Sequence, residues 1–105
     1  MAADLMAIAE SFRNGIYNLR THAIEEMDND MVTVDVLERA IGRDSPQVIE
    51  DYPSDPRGSS CLVLGWEDEG HAIHTVIGYA GDKPTVVTVY RPASDRWYDN
   101  FSKRR

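Results

Sequence analysis

The 105-residue chain is 42% apolar and 28% charged, the balance of one folded domain with a single modest core, which excludes a disordered protein. No apolar run reaches the roughly 20 residues of a membrane span, and the opening "MAADLMAIAE" lacks the basic region of a signal peptide. Cys61 is the only cysteine, which excludes an internal disulfide and a cysteine-built zinc site and points to a cytoplasmic protein. The net charge of −7 is uneven: 12 acids and 4 bases up to Asp55, then 6 acids and 7 bases from Pro56. The acidic half repels nucleic acid, the second half tolerates it, and the basic "SKRR" closes the chain.

In chain order, residues 4–14 place Leu5, Ile8 and Phe12 on one stripe of a short helix that Gly15 ends. "IYNLR" is a short extended segment. Thr21 is the expected N-cap of a second helix with Ile24, Met27 and Met31 at helical spacing. Thr33 caps a third, "VDVLERAIG", with Val34, Leu37 and Ile41 on one face and Gly42 at its end. "QVIEDY" reads as a strand or a connector, and "PSDPRGSS" as a loop. Then "CLVLGW", "HAIHTVIGY" and "TVVTVYR" alternate as strands of a three-stranded antiparallel meander that Pro92 stops. "SDRWYDNF" is expected to form a helical turn, with Trp97 and Phe101 anchoring the C-terminal segment. The fold class is α+β, with N-terminal helices on one face of a C-terminal antiparallel sheet in one domain, 1–105.

Loop lengths set a register. Pairing Trp66 with His71 opposes Val63 to His74, and pairing Tyr79 with Thr85 opposes His74 to Tyr90. One face then holds Leu62, Leu64, Trp66, Ile73, Thr75, Ile77, Val87 and Val89, the side expected beneath the helices. The other, expected open, holds Cys61, Val63, His74, Val76, Thr88 and Tyr90, with Arg91 at the strand end and Arg57 in the preceding loop.

A histidine, a phenol and two guanidiniums are suited to cleaving a phosphodiester through its neighbouring 2′-hydroxyl. One group takes that proton, another protonates the leaving oxygen, and arginine matches the phosphate. The same residues also serve ordinary ends. His74 and Tyr90 make a common cross-strand pair, Arg57 and Arg91 pair with acids, and His22 packs or caps a helix. His71 and His74 fall on opposite faces of a strand, and there is no HxxxH, CxxC, calcium-loop or glycine-rich phosphate motif, so neither metal nor cofactor is expected.

The stretches "THAIEEM", "VIEDYPSDPRGSSCLVLGW", "HTVIGY" and "VVTVYRPASDRWYDNFSKRR" closely resemble the bacterial family catalogued as domain of unknown function 4258. The resemblance runs from Tyr17 to the C-terminus and leaves residues 1–15 as an extra helix. That family is similar to RelE-like and MqsR-like toxins, which implies a compact α+β fold, cleavage of messenger RNA without metal, and a neutralising antitoxin, often of zinc-finger type. By position it carries over His22, Arg57, His74, Tyr90 and Arg91 as site residues. The chain departs from the pattern after "HA", where Glu26 and Asp30 stand at positions commonly basic in the family. A second function class is a non-catalytic interaction module whose acidic segment from Glu25 to Asp44 binds a basic or zinc-finger partner. A homodimer through exposed sheet edges is a further expectation.

Overall fold

Three helices, Leu5–Arg13 (α1), Thr21–Asn29 (α2) and Val34–Gly42 (α3), precede most of a five-stranded sheet. Its strands are Asn18–Leu19 (β1), Gln47–Tyr52 (β2), Ser60–Glu67 (β3), His71–Gly78 (β4) and Thr85–Tyr90 (β5), in the order β1-β5-β4-β3-β2. The computed structural model describes residues 2–68 and 70–105. The class is α+β with the helices first, as the sequence implies, but the sheet is mixed: β1 runs parallel to β5, and β2 extends the meander antiparallel to β3.

Local chemistry explains the helix starts. Asp4 accepts a hydrogen bond from the Ala7 amide at 3.1 Å, and Thr33 Oγ1 accepts from the Val36 amide at 3.1 Å, so each satisfies an amide that lacks an intrahelical partner. Thr21 is not a cap. The Arg20 amide is still bound to the Val86 carbonyl as an extension of β1, so Arg20 is the extended N-cap and Thr21 is the first helical residue.

Phe12, Leu37 and Ile41 are fully buried, and Ile8 and Met27 nearly so. The α2 stripe is shifted: Ala23 and Met27 face inward with Val32, while Ile24 and Met31 are exposed, Met31 to 82%. A helix so short and acidic turns its small residue to the sheet because that permits close approach. Gly65 does the same from β3: a Cβ there would lie 2.5 Å from the Ala40 carbonyl oxygen on α3.

Pairing of β4 with β5 follows expectation around the site, with His74 opposite Tyr90 and Val76 opposite Thr88. At the turn Gly78, not Tyr79, opposes Thr85, and a bulge at Val76/Ile77 absorbs the difference and turns Val86 inward in place of Val87. Pairing of β3 with β4 differs by one residue. Leu64, not Val63, opposes His74, because Glu67 also pairs with His71 and the connection shortens to residues 68–70, with Gly70 at φ +82°. A one-residue slip exchanges the faces. Cys61, Val63 and Gly65 therefore lie under the helices with Ile73, Thr75, Ile77 and Val89, while Leu62, Leu64 and Trp66 share the outer face with His74 and Tyr90.

That outer face is not open around His74. In place of the expected helical turn, residues 97–104 form a small hairpin of Trp97–Tyr98 (β6) and Lys103–Arg104 (β7). Asp99, Asn100 and Phe101 reverse the chain with φ of 52°, 55° and 67°, and Trp97 is buried against the sheet. Left-handed backbone at three successive non-glycine residues is costly and persists only where its surroundings fix it. Both Trp97 and Phe101 anchor the segment, as expected: Trp97 meets the His74 ring edge-on at 4.3 Å and Phe101 meets Trp66 at 6.4 Å.

Candidate active site

His74 and Tyr90 are brought together by the β4–β5 register: His74 Nδ1 and the Tyr90 hydroxyl are 3.0 Å apart. His74 Nε2 lies 2.8 Å from the Phe101 carbonyl, which can only accept, so Nε2 carries the proton. In the neutral ring Nδ1 then accepts from the Tyr90 hydroxyl. His74 is 0% exposed, and burial pushes its pKa below the ordinary histidine value against the opposing pull of the Phe101 carbonyl. Burial also raises the Tyr90 phenol, so it holds its proton at neutral pH.

Tyr90 is only half-buried. It forms one wall of a groove of about 520 Å³ lined also by Arg91, Asp95, Arg96, Trp97, Arg104 and Arg105. The Arg104 guanidinium binds Glu50 with both prongs, at 2.5 and 2.9 Å, and lies 4.7 Å above the Trp97 ring. This arginine holds the Glu50 carboxyl below its usual range.

The remaining residues singled out from sequence do not join the pair directly. Arg91 borders the groove, but its guanidinium donates to Glu67 at 2.6 Å and to the Asp30 carbonyl at 3.0 Å. Arg57 belongs to the far end of the same face. Its side chain is 91% exposed and its amide and guanidinium bind Asp55, and with Arg20, Ser60, Val76 and Thr88 it lines a second cleft of about 430 Å³. That end of β4 is four residues from His74, roughly 13 Å along the strand. His22 is on α2, 68% exposed, at 3.3 Å from Glu26.

Glu26 and Asp30 have a structural use. Beyond Val86 the outer edge of β5 has no strand beside it, and there Glu26 accepts from the Val89 amide at 3.0 Å and Asp30 from the Arg91 amide at 3.1 Å. Glu26 of α2 and Asp30 at its C-cap thus complete the hydrogen bonding of that strand edge, as buried amides require. Among the described residues no cluster of three His, Cys, Asp or Glu side chains is arranged to hold a metal ion, and no helix is long and apolar enough to cross a membrane.

The sequence matches the family described as "Domain of unknown function (DUF4258)" over residues 19–91. The chain belongs to this family. The match begins at β1 and ends at Arg91, so both α1 and the C-terminal hairpin lie outside the DUF4258 region. No curated protein and no solved structure matches the chain. Arg96, Arg104 and Arg105, which the sequence reading did not single out, sit in the segment beyond the match. Their signal was the basic tail of an acidic chain.

Proposed function

We propose that the protein is a toxin-like endoribonuclease that cleaves single-stranded RNA by transesterification without a metal ion. The observation that carries this is the hydrogen-bonded Tyr90–His74 pair, its phenol on the wall of an arginine-lined groove and its imidazole sealed behind. Tyr90 is the catalytic residue, and His74 acts through it. The Tyr90 oxygen takes the 2′-hydroxyl proton while passing its own to His74 Nδ1. The 2′-oxygen bonds to phosphorus, and the 5′-oxygen leaves and receives the proton back through Tyr90. The products are a 2′,3′-cyclic phosphate and a free 5′-hydroxyl. Phe101 supports the relay because its carbonyl stabilises the imidazolium formed midway. Arg91, fixed by Glu67, bears on the scissile phosphate, and Arg57 with Arg20 takes backbone phosphate at the far cleft. His22 has no part in this relay.

The test is RNA cleavage by purified protein in excess chelator. Tyr90→Phe should lower the rate by about 10²- to 10⁴-fold with the fold retained. The wild-type rate should rise with pH through a titration below the ordinary histidine value, since only neutral His74 accepts a proton. Undiminished cleavage by Tyr90→Phe, or none by wild type with or without ribosomes, removes the reading.

A second reading is supported by the helical side. Ile24, Met31 and Val34 are exposed among the acids Glu25, Asp28 and Asp35, an apolar strip with an acidic border that suits a basic antitoxin segment. A protein that forms a salt-sensitive complex there and cleaves no RNA would be an interaction module. The two surfaces meet where Met31 and Arg91 line one cleft with Asp30 and Glu67, so an antitoxin docked on α2 and α3 would border the nucleolytic face and could cover Arg91.

A further inference from the structure

We infer that the C-terminal hairpin turns the groove beside Tyr90 into a binding site for the phosphate backbone of single-stranded RNA, with Arg96 and Arg105 as its principal ligands. The inference rests on the ribonuclease reading only for the identity of the polyanion.

The charge distribution is the first argument. The chain carries −7 overall, yet residues 91–105 hold five of its eleven bases and two of its eighteen acids. Four of those bases, Arg91, Arg96, Arg104 and Arg105, line one groove. Gathering like charges is unfavourable unless acids or a bound anion offset them. Acids offset only part of it. Glu67 neutralises Arg91 and Glu50 neutralises Arg104, and Asp95 lies on the rim. Arg96 and Arg105 form no ion pair among the described residues, and both are exposed.

Backbone geometry is the second argument. The left-handed run Asp99–Phe101 folds β7 onto β6, which sets Arg104 opposite Trp97 and ties the Arg105 amide to the Arg96 carbonyl at 2.9 Å. The strained turn therefore brings the last two arginines beside Arg96 and Arg91. Arg105 is held further: its Nε donates to the Ser94 carbonyl at 2.8 Å, and its guanidinium lies 5.7 Å from the centre of the Tyr98 ring. The remaining guanidinium donors form a planar fork that matches a phosphate, and exposed Tyr98 adds a surface on which a base can stack. The family match ends at Arg91, so most of this site lies beyond the matched region, placed where it delivers a phosphodiester to Tyr90.

The experiment uses the full chain and a fluorescent twelve-nucleotide 2′-O-methyl RNA, which lacks the attacking hydroxyl and so reports binding alone. Anisotropy is followed across a salt series. Arg96→Ala and Arg105→Ala should each weaken binding about fivefold and flatten the log Kd against log salt plot by about 0.7, the value for one phosphate contact on a single strand. The double variant should flatten it by about 1.4. Lys83→Ala, in the β4–β5 turn, should leave both quantities unchanged, and circular dichroism should confirm that every variant is folded. Unchanged slopes in both variants overturn the site. So does an equal loss in Lys83→Ala, absence of RNA binding, or phosphatidylglycerol vesicles bound through these two arginines when RNA is not. Binding with the expected slopes but no cleavage of ordinary RNA leaves the groove standing and removes the ribonuclease reading.

Discussion

Mild acid should weaken this fold through one residue, His74. Its ring is completely enclosed by Tyr90, Leu64, Trp97 and the Phe101 carbonyl, and burial lowers its pKa below the ordinary histidine value of about 6.5. The unfolded chain therefore binds a proton at a higher pH than the folded one. Stability contributed by the neutral ring is fully present above about 6.5 and falls with pH until the folded-state value is reached. The slope cannot exceed about 1.4 kcal/mol per pH unit for one proton. Between pH 7.5 and 5.5 the loss is therefore at most about 1.4 kcal/mol, and it is distinct from the carboxylate contribution. Glu50 and Asp51 have lowered pKa values, so their stabilisation is complete above the ordinary carboxylate range and is lost only at lower pH. Urea denaturation at half-unit intervals, for wild type and His74→Gln, isolates the effect as the difference in pH slope. Equal slopes in the two proteins, or wild-type stability independent of pH over this window, would refute the account of His74 as a buried neutral ring.

Thr75 is fully buried on the helical face, and its Oγ1 has no hydrogen-bond partner among the described residues, so Thr75→Val should stabilise the fold by about 1–2 kcal/mol in urea melts. Gly65→Ala should destabilise it by about 2 kcal/mol or more, because the new methyl meets the Ala40 carbonyl and α3 must move away; an unshifted melting temperature would show that α3 yields freely. Asp30→Ala should cost about 1–3 kcal/mol and speed hydrogen exchange at the Arg91 amide, which loses its acceptor; unchanged protection there would mean that water or another group replaces the carboxylate.

The element order as far as β5 was legible because helix and strand periods differ and the elements are short and bounded by caps or turns. The face assignment of β3 was not legible, for a particular reason. Alternation identifies a core face only when the opposite face is polar, and here Cys61, Leu62, Val63 and Leu64 are all buried. The helices take one set and the C-terminal hairpin takes the other. With no polar residue to mark parity, the three-residue connection 68–70 decided the register, and Gly65 was the available sign of which side α3 approaches. Likewise β1 has only two residues, too few for a period. Its partner became identifiable only from a sheet in which β5 needed a neighbour.

For the candidate site, the pair depends on β4 and β5 alone, where Gly78 rather than the expected Tyr79 opposes Thr85 and the bulge at Val76/Ile77 cancels that one-residue difference before His74. Its surroundings were hidden because they come from a segment whose geometry composition does not encode. "SDRWYDNF" reads as a helical turn, since Trp97 and Phe101, four residues apart, fit one helical face. Instead Asp99 and Asn100, the residue types that tolerate left-handed backbone best after glycine, carry the reversal. That choice changes the chemistry available to His74. On an open face it would meet solvent and could serve as a free base; beneath Trp97 and Phe101, in the proposed ribonuclease, it would reach a substrate proton only through the Tyr90 oxygen. Removing the phenol oxygen while keeping the ring therefore separates the two arrangements. A histidine acting directly would tolerate Tyr90→Phe, whereas the buried relay loses its only conductor.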